Sequence, residues 1–101
     1  MSLKKEYLKS KPLCRVTFVL PAKLTENTNQ ANLVGEFNDW NKQTTPMKRI
    51  KGIFSVTIML EKGREYLFRY LLDEDRWEND PAADKYLPSP MGNNQNSVVV
   101  V

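Results

Sequence analysis

Two tryptophans sit in polar, turn-forming sequence: Trp40 within Gly35-Glu36-Phe37-Asn38-Asp39-Trp40-Asn41, and Trp77 within Asp75-Arg76-Trp77-Glu78-Asn79-Asp80-Pro81. A glucose ring offers an apolar face of C–H groups and a rim of hydroxyls. A flat indole covers the face, while Asn, Arg or Lys beside it supplies the rim with hydrogen bonds, because a hydroxyl stripped of water without a partner is costly. Two tryptophans with such neighbours are the minimum kit for a sugar platform. An indole can equally plug the open end of a small β-sandwich, and the residues alone leave that reading open for both.

Other chemistries lack their residues. The chain has no histidine, which removes Ser/His/Asp and Cys/His nucleophilic arrangements and any His-ligated metal site. The single Cys14 alternates with apolar residues and reads as a small buried hydrophobe. No Gly-rich phosphate loop of standard spacing occurs. The acids Asp73, Glu74, Asp75, Glu78 and Asp80 lack the ligand spacing and turn glycine of an EF-hand and read as a solvated hairpin. Glycoside hydrolysis needs two carboxylates across a cleft, and nothing here supplies the bulk to build one. No catalytic residue, metal ligand or cofactor is therefore expected.

At 101 residues, 41% hydrophobic and 27% charged, the composition fits one globular domain. Lys4, Lys5, Lys9 and Lys11 account for more than the net charge of +3, so residues 1–12 read as a basic, solvated tail ahead of a domain at 13–101. With the rest near neutral, no nucleic-acid partner is expected. The absence of an apolar leader or long apolar run predicts neither secretion nor a membrane span, and the lone cysteine demands no oxidising compartment; a cytoplasmic location is expected.

The elements that must position the tryptophans follow a period of two. Cys14, Val16, Phe18 and Leu20 alternate with Arg15, Thr17 and Val19; Phe54, Val56, Ile58 and Leu60 with Ser55, Thr57 and Met59; Tyr66, Phe68, Tyr70 and Leu72 with Leu67, Arg69 and Leu71. Arg69 is thereby placed on an outward face. Ala31 to Gly35 reads as a short strand, and Ser97 to Val101 as a β-branched last one. Strands separated by turn signals, without a helical period, predict an all-β sandwich.

The blocks Leu33 to Asn41, Thr45-Pro46-Met47, Gly63 with Tyr66 to Asp73, Trp77 to Pro81 and Gly92 to Val100 resemble the family 48 carbohydrate-binding modules, also called isoamylase N-terminal or early set domains. That group includes the glycogen-binding domain of the AMP-activated protein kinase β subunit. The resemblance covers Leu13 to Val101 and implies an immunoglobulin-like β-sandwich that binds α-glucan. It implies that Trp40 and Trp77 stack on α-1,4-linked glucose, that Arg69, at a family lysine position, donates to sugar hydroxyls, and that Met91, Asn93 and Asn96 make loop contacts.

The expected function is that of a non-enzymatic module for glycogen, starch or malto-oligosaccharide, since a catalytic barrel needs about 250 residues. The alternative is a structural or protein-interaction module that partners a glucan-processing enzyme, with little sugar affinity. A glycoside hydrolase association would come from fused relatives. The strand alternation puts Phe54, Val56, Ile58, Phe68 and Tyr70 in the core, with Ser55, Thr57 and Arg69 toward solvent. Truncating Val56 or Ile58 to alanine is then expected to cost about 1–5 kcal/mol in chemical denaturation.

Overall fold

Antiparallel ladders join the strands throughout the fold, and each interior strand takes part in at least two of them. The computed structural model describes residues 3–89 and 94–101. In the first sheet, β1 (Leu3–Tyr7), β2 (Leu13–Val19), β4 (Lys48–Ile50) and β5 (Ile53–Glu61) lie in the order β1-β2-β5-β4. In the second, β3 (Ala31–Gly35), β6 (Glu65–Leu72), β8 (Lys85–Pro88) and β9 (Gln95–Val100) lie in the order β3-β6-β9-β8, and β7 (Arg76–Glu78) adds to β6. The expected all-β sandwich is the fold found.

Alternation decides which side chains enter. Val16 and Phe18 of β2 face Phe68 and Tyr70 of β6 in one buried cluster. Phe18 meets Phe68 edge-on at 5.1 Å across the sheets, and Phe68 meets Tyr70 at 5.6 Å along β6. Edge-to-face contact suits the ring quadrupoles. Phe37, from the connection after β3, closes one end of this stack 5.8 Å from Phe18. Cys14 is a free thiol, fully buried.

Two expectations need correction. The segment 1–12 is not all solvated tail, because Leu3–Tyr7 pairs with β2 as an edge strand and Leu3 is buried. Lys5 points inward from this edge and spans the sandwich to Asp84, Nζ to Oδ2 at 2.6 Å. An inward-facing charge on an edge strand also discourages pairing with other chains. Val56 and Ile58 face the core but are only half-buried. Their strand has β2 on one side, whereas β4 covers the other side only from Ile53 to Ser55. The open edge beyond Ser55 leaves both side chains partly wet, which places their truncation cost toward the low end of the range above.

The acidic run also divides. Asp73 to Asp75 forms the three-residue β6–β7 connection between the paired Leu72 and Arg76, with Asp73 (φ 51°) and Glu74 (φ 69°) in the left-handed region, as the two central residues of a type I′ turn closed by the Asp75 N–H on the Leu72 carbonyl require. Asp80, expected in the same solvated hairpin, is instead fully buried. Its Oδ2 accepts the Tyr70 hydroxyl at 2.8 Å and its Oδ1 accepts the Ala82 N–H at 2.8 Å. Hydrogen bonds reward the buried carboxylate where water cannot reach it.

Burial, and then the adjacent Asp80 charge and its hydrogen bond, hold the Tyr70 phenol well above its ordinary value of 10.0. The unfolded chain loses this proton near pH 10 while the fold keeps it, so the folded state binds more protons above that pH. The contribution is complete below about pH 10 and declines as pH rises further. Tyr70→Phe is expected to cost about 1–3 kcal/mol at neutral pH, by depriving Asp80 of a donor. It should also flatten the alkaline loss of stability relative to wild type. Denaturant titrations from about pH 8 to 11 read both effects.

Candidate functional site

The outer face of the second sheet is where the odd-numbered residues of β6 emerge. Val34 pairs with Arg69, Trp77 with Leu71, Val98 with Leu67 and Leu87 with Asn96, so all eight share that face. A concave groove of about 890 Å³ lies over part of it. Leu67, Arg69, Trp77 and Asn96 come from the sheet; Glu36, Trp40, Lys42 and Ser89 come from the flanking connections.

Trp40 reaches the groove through a sequence in which nearly every residue has a local task. Gly35 is extended (φ −172°), and its backbone would suit any residue. Space is what demands glycine: a Cβ there would lie 2.5 Å from the Leu67 carbonyl oxygen and 2.9 Å from the Phe68 Cβ. This close approach lets Glu36 Oε1 accept the Leu67 N–H at 2.7 Å. Asn38 then binds the turn to itself: its Oδ1 accepts the Gly35 N–H at 3.1 Å, and its Nδ2 donates to the Leu33 carbonyl at 2.9 Å and to Thr45 Oγ1 at 3.0 Å.

Asp39 (φ 56°) and Trp40 (φ 57°) follow as consecutive left-handed residues, neither a glycine. Such conformations cost on the order of 1–3 kcal/mol each and persist only where the surroundings fix them. Here the Trp40 N–H donates to the Gly35 carbonyl at 2.8 Å, and the Asn41 N–H to the Asn38 carbonyl at 3.1 Å.

Trp77 arrives on a different element. The β6–β7 turn is anchored by Asp73, whose Oδ1 accepts the Asn29 and Gln30 N–H groups at 2.8 and 3.1 Å. Arg76, beside Trp77, donates to Thr28 Oγ1 at 2.9 Å. The two indoles are 39% and 40% exposed. Neither is a core plug. Lys42, two residues beyond Trp40, holds its ammonium 5.8 Å from the Trp77 ring centre and so links the Trp40 connection to β7.

Arg69 lies between the two elements. Its Nε donates to Asn96 Oδ1 at 2.8 Å and its Nη2 to the Gln95 carbonyl at 2.7 Å. Asn96 is buried, and its oxygen is taken by Arg69, so in the free protein it is a support for the guanidinium. Among the described residues neither Arg69 nor Lys42 forms an ion pair.

Of the six residues expected from sequence to contact sugar, Trp40, Trp77, Arg69 and Asn96 line one groove. Met91 and Asn93 lie outside the described residues. Sequence reasoning missed Glu36, Lys42, Leu67 and Ser89 as lining groups and Asn38 as the loop's fastener. The Gly-x-Phe-Asn-x-Trp block contained the signal for Asn38, because an Asn two residues before a turn tryptophan can bond its own backbone. Among the described residues no cluster of three or more Cys, Asp or Glu side chains could hold a metal, and no helix is long and apolar enough to cross a membrane.

Two antiparallel sheets form an immunoglobulin-like sandwich, with a groove lined by two partly exposed indoles over one of them. Residues 20–101 match the family described as the glycogen recognition site of AMP-activated protein kinase, and the chain belongs to that family. No curated protein sequence matches it.

Among solved structures, the chain is similar to the enterobactin esterase FES from Shigella flexneri. In the presence of enterobactin the TM-score is 0.75 at 14% identity, covering 99% of this chain and 33% of the esterase. In the presence of 2,3-di-hydroxy-N-benzoyl-serine the TM-score is 0.72 at 14% identity, covering 99% and 32%. The chain thus spans about a third of the esterase's length, and the likeness establishes the shared fold.

Asn38→Ala is expected to cost about 1–3 kcal/mol, through the partners it strands. It should also release Trp40 from its left-handed turn. In a Trp77→Phe background, where Trp40 is the sole indole, the variant should show red-shifted emission and stronger acrylamide quenching; unchanged quenching would mean that other contacts hold the loop.

Proposed function

We propose that this module binds α-1,4-glucan, as glycogen, starch or malto-oligosaccharide, in the groove between Trp40 and Trp77, without catalysing its cleavage. One observation carries the reading: two indoles from separate elements, the connection after β3 and strand β7, are both about 40% exposed and line the same concave surface as Arg69. Membership of the glycogen-recognition family supports it. An α-1,4-glucan curves, so platforms on two different elements suit it better than they suit flat β-1,4-cellulose. The guanidinium and the Lys42 ammonium supply donors for hydroxyls at the rims of the stacked sugars. By resemblance, Met91 and Asn93 add contacts from the β8–β9 connection. A cytoplasmic location, where glycogen is stored, fits this role.

A role beside a glucan-processing enzyme is compatible with the same groove. The similar sandwich in the esterase is about a third of an enzyme chain, so this fold can sit within a larger catalytic protein. The absence of histidine from the sequence supports assigning any chemistry to such a partner.

The groove is open, so bound sugar stays partly hydrated and the dissociation constant for maltoheptaose should fall on the order of 10 μM to 1 mM, with cellohexaose much weaker. Trp40→Ala and Trp77→Ala should each weaken binding by roughly tenfold or more while the fold persists, and Arg69→Ala by less. Isothermal calorimetry on the three variants measures this. Equal affinity of wild type and a folded double tryptophan variant would remove the site from the groove.

A further inference from the structure

The carbonyl of Gln95, the first residue of β9, accepts two side-chain donors at once: Arg69 Nη2 at 2.7 Å and Asn79 Nδ2 at 2.8 Å. A carbonyl oxygen has two lone pairs, so these donors fill it. Asn79 does not line the groove. It follows β7 directly, two residues after Trp77, and its amide is held at both ends. Its Oδ1 accepts the hydroxyl of Ser97 at 2.8 Å, and the same Ser97 oxygen accepts the Asp80 N–H at 2.8 Å. Ser97 is fully buried, so this anchor exchanges little with water.

Arg69 is fixed in turn. A guanidinium is a rigid plane, and two of its nitrogens are bound to β9, at Asn96 Oδ1 and the Gln95 carbonyl. Those two bonds set the plane of the group. One carbonyl therefore joins the segment that carries Trp77 to a guanidinium that lines the same groove as both indoles.

We propose that Asn79, held by Ser97, is a positioning residue for glucan recognition: acting through the Gln95 carbonyl, it sets the Arg69 plane and its spacing from Trp77. This rests on the glucan reading above. An effect of this kind is distinct from a stability contribution, because it passes through Arg69 and vanishes when Arg69 is absent.

The experiment is a double-mutant cycle in maltoheptaose affinity, with Asn79→Ala, Arg69→Ala and the double variant, each first shown to unfold cooperatively. Asn79→Ala should weaken binding by about fivefold in the wild-type background and by less than about twofold when Arg69 is already alanine. On wild-type protein, the Arg69 Nε–H should give a resolved NMR signal that exchanges slowly with water and shifts on adding maltoheptaose. This holds the proposal to account even if a variant does not fold, since an Nε–H exchanging as fast as that of an exposed arginine overturns it. Wild-type binding with equal losses from Asn79→Ala in both backgrounds overturns the positioning role alone. No maltoheptaose binding by wild type overturns the glucan reading and this role with it.

Discussion

The approach of β3 to β6 at Gly35 governs the geometry of the groove. A side chain there would meet the Leu67 carbonyl oxygen at 2.5 Å, and backbone does not give way as a flexible side chain would. With the glycine in place, three consecutive residues find their positions. Glu36 takes the Leu67 N–H, Phe37 packs against the core beside Phe18, and Asn38 returns to the Gly35 N–H. The same closeness orders the core at one end of the sandwich and fixes the departure of the Trp40 connection. Moving β3 outward would therefore disturb the aromatic stack and the groove together.

β6 carries the second coupling. Its even-numbered residues, Tyr66, Phe68, Tyr70 and Leu72, belong to the core, while Leu67 and Arg69 line the groove. Its far edge is shared end to end, by β9 as far as Phe68 and by β7 from Tyr70. Arg69 stands at the gap between these ladders, and its guanidinium bonds to the start of β9. On the other face, one residue on, Tyr70 bonds to Asp80, whose own N–H is held by Ser97 of β9. A polar thread thus connects both faces of the sheet at the place where strand pairing changes partner. Satisfied buried networks of this kind favour one register over its alternatives.

The alternating strands were legible because half-buried sheet faces impose a period of two, and β2, β3, β5, β6 and β9 all appear within a few residues of the expected spans. The others gave no such signal. β4 and β7 have three residues each, too few for a period, and every residue of β8 is exposed. β1 reads as a basic tail because Lys5 occupies an inward position, and its partner Asp84 is distant in sequence. Asp80 was misread for the same reason, since only the folded arrangement brings the Tyr70 hydroxyl to it. Trp40, Trp77 and Arg69 could be named from residue type and pattern. Glu36, Lys42 and Asn79 could not, because each acts through a partner on another element: the Leu67 N–H, the Trp77 ring or the Gln95 carbonyl.

The location of strain fits the glucan-binding role proposed for the groove. Two left-handed residues at Asp39 and Trp40 cost stability that a regular strand would not, and a sandwich of this size has little to spare. A mobile connection would relieve that strain and leave the indole free to turn, but under the proposed role each bound sugar would then have to immobilise it again. Ordering a side chain on binding costs about 0.5–1.5 kcal/mol, a large fraction of the affinity available to an open, hydrated site. Asn38 and the Gly35 carbonyl hold the turn in advance, which moves that cost from binding into folding. The aromatic core supplies the stability to absorb it, and Phe37, within the same turn, packs against that core.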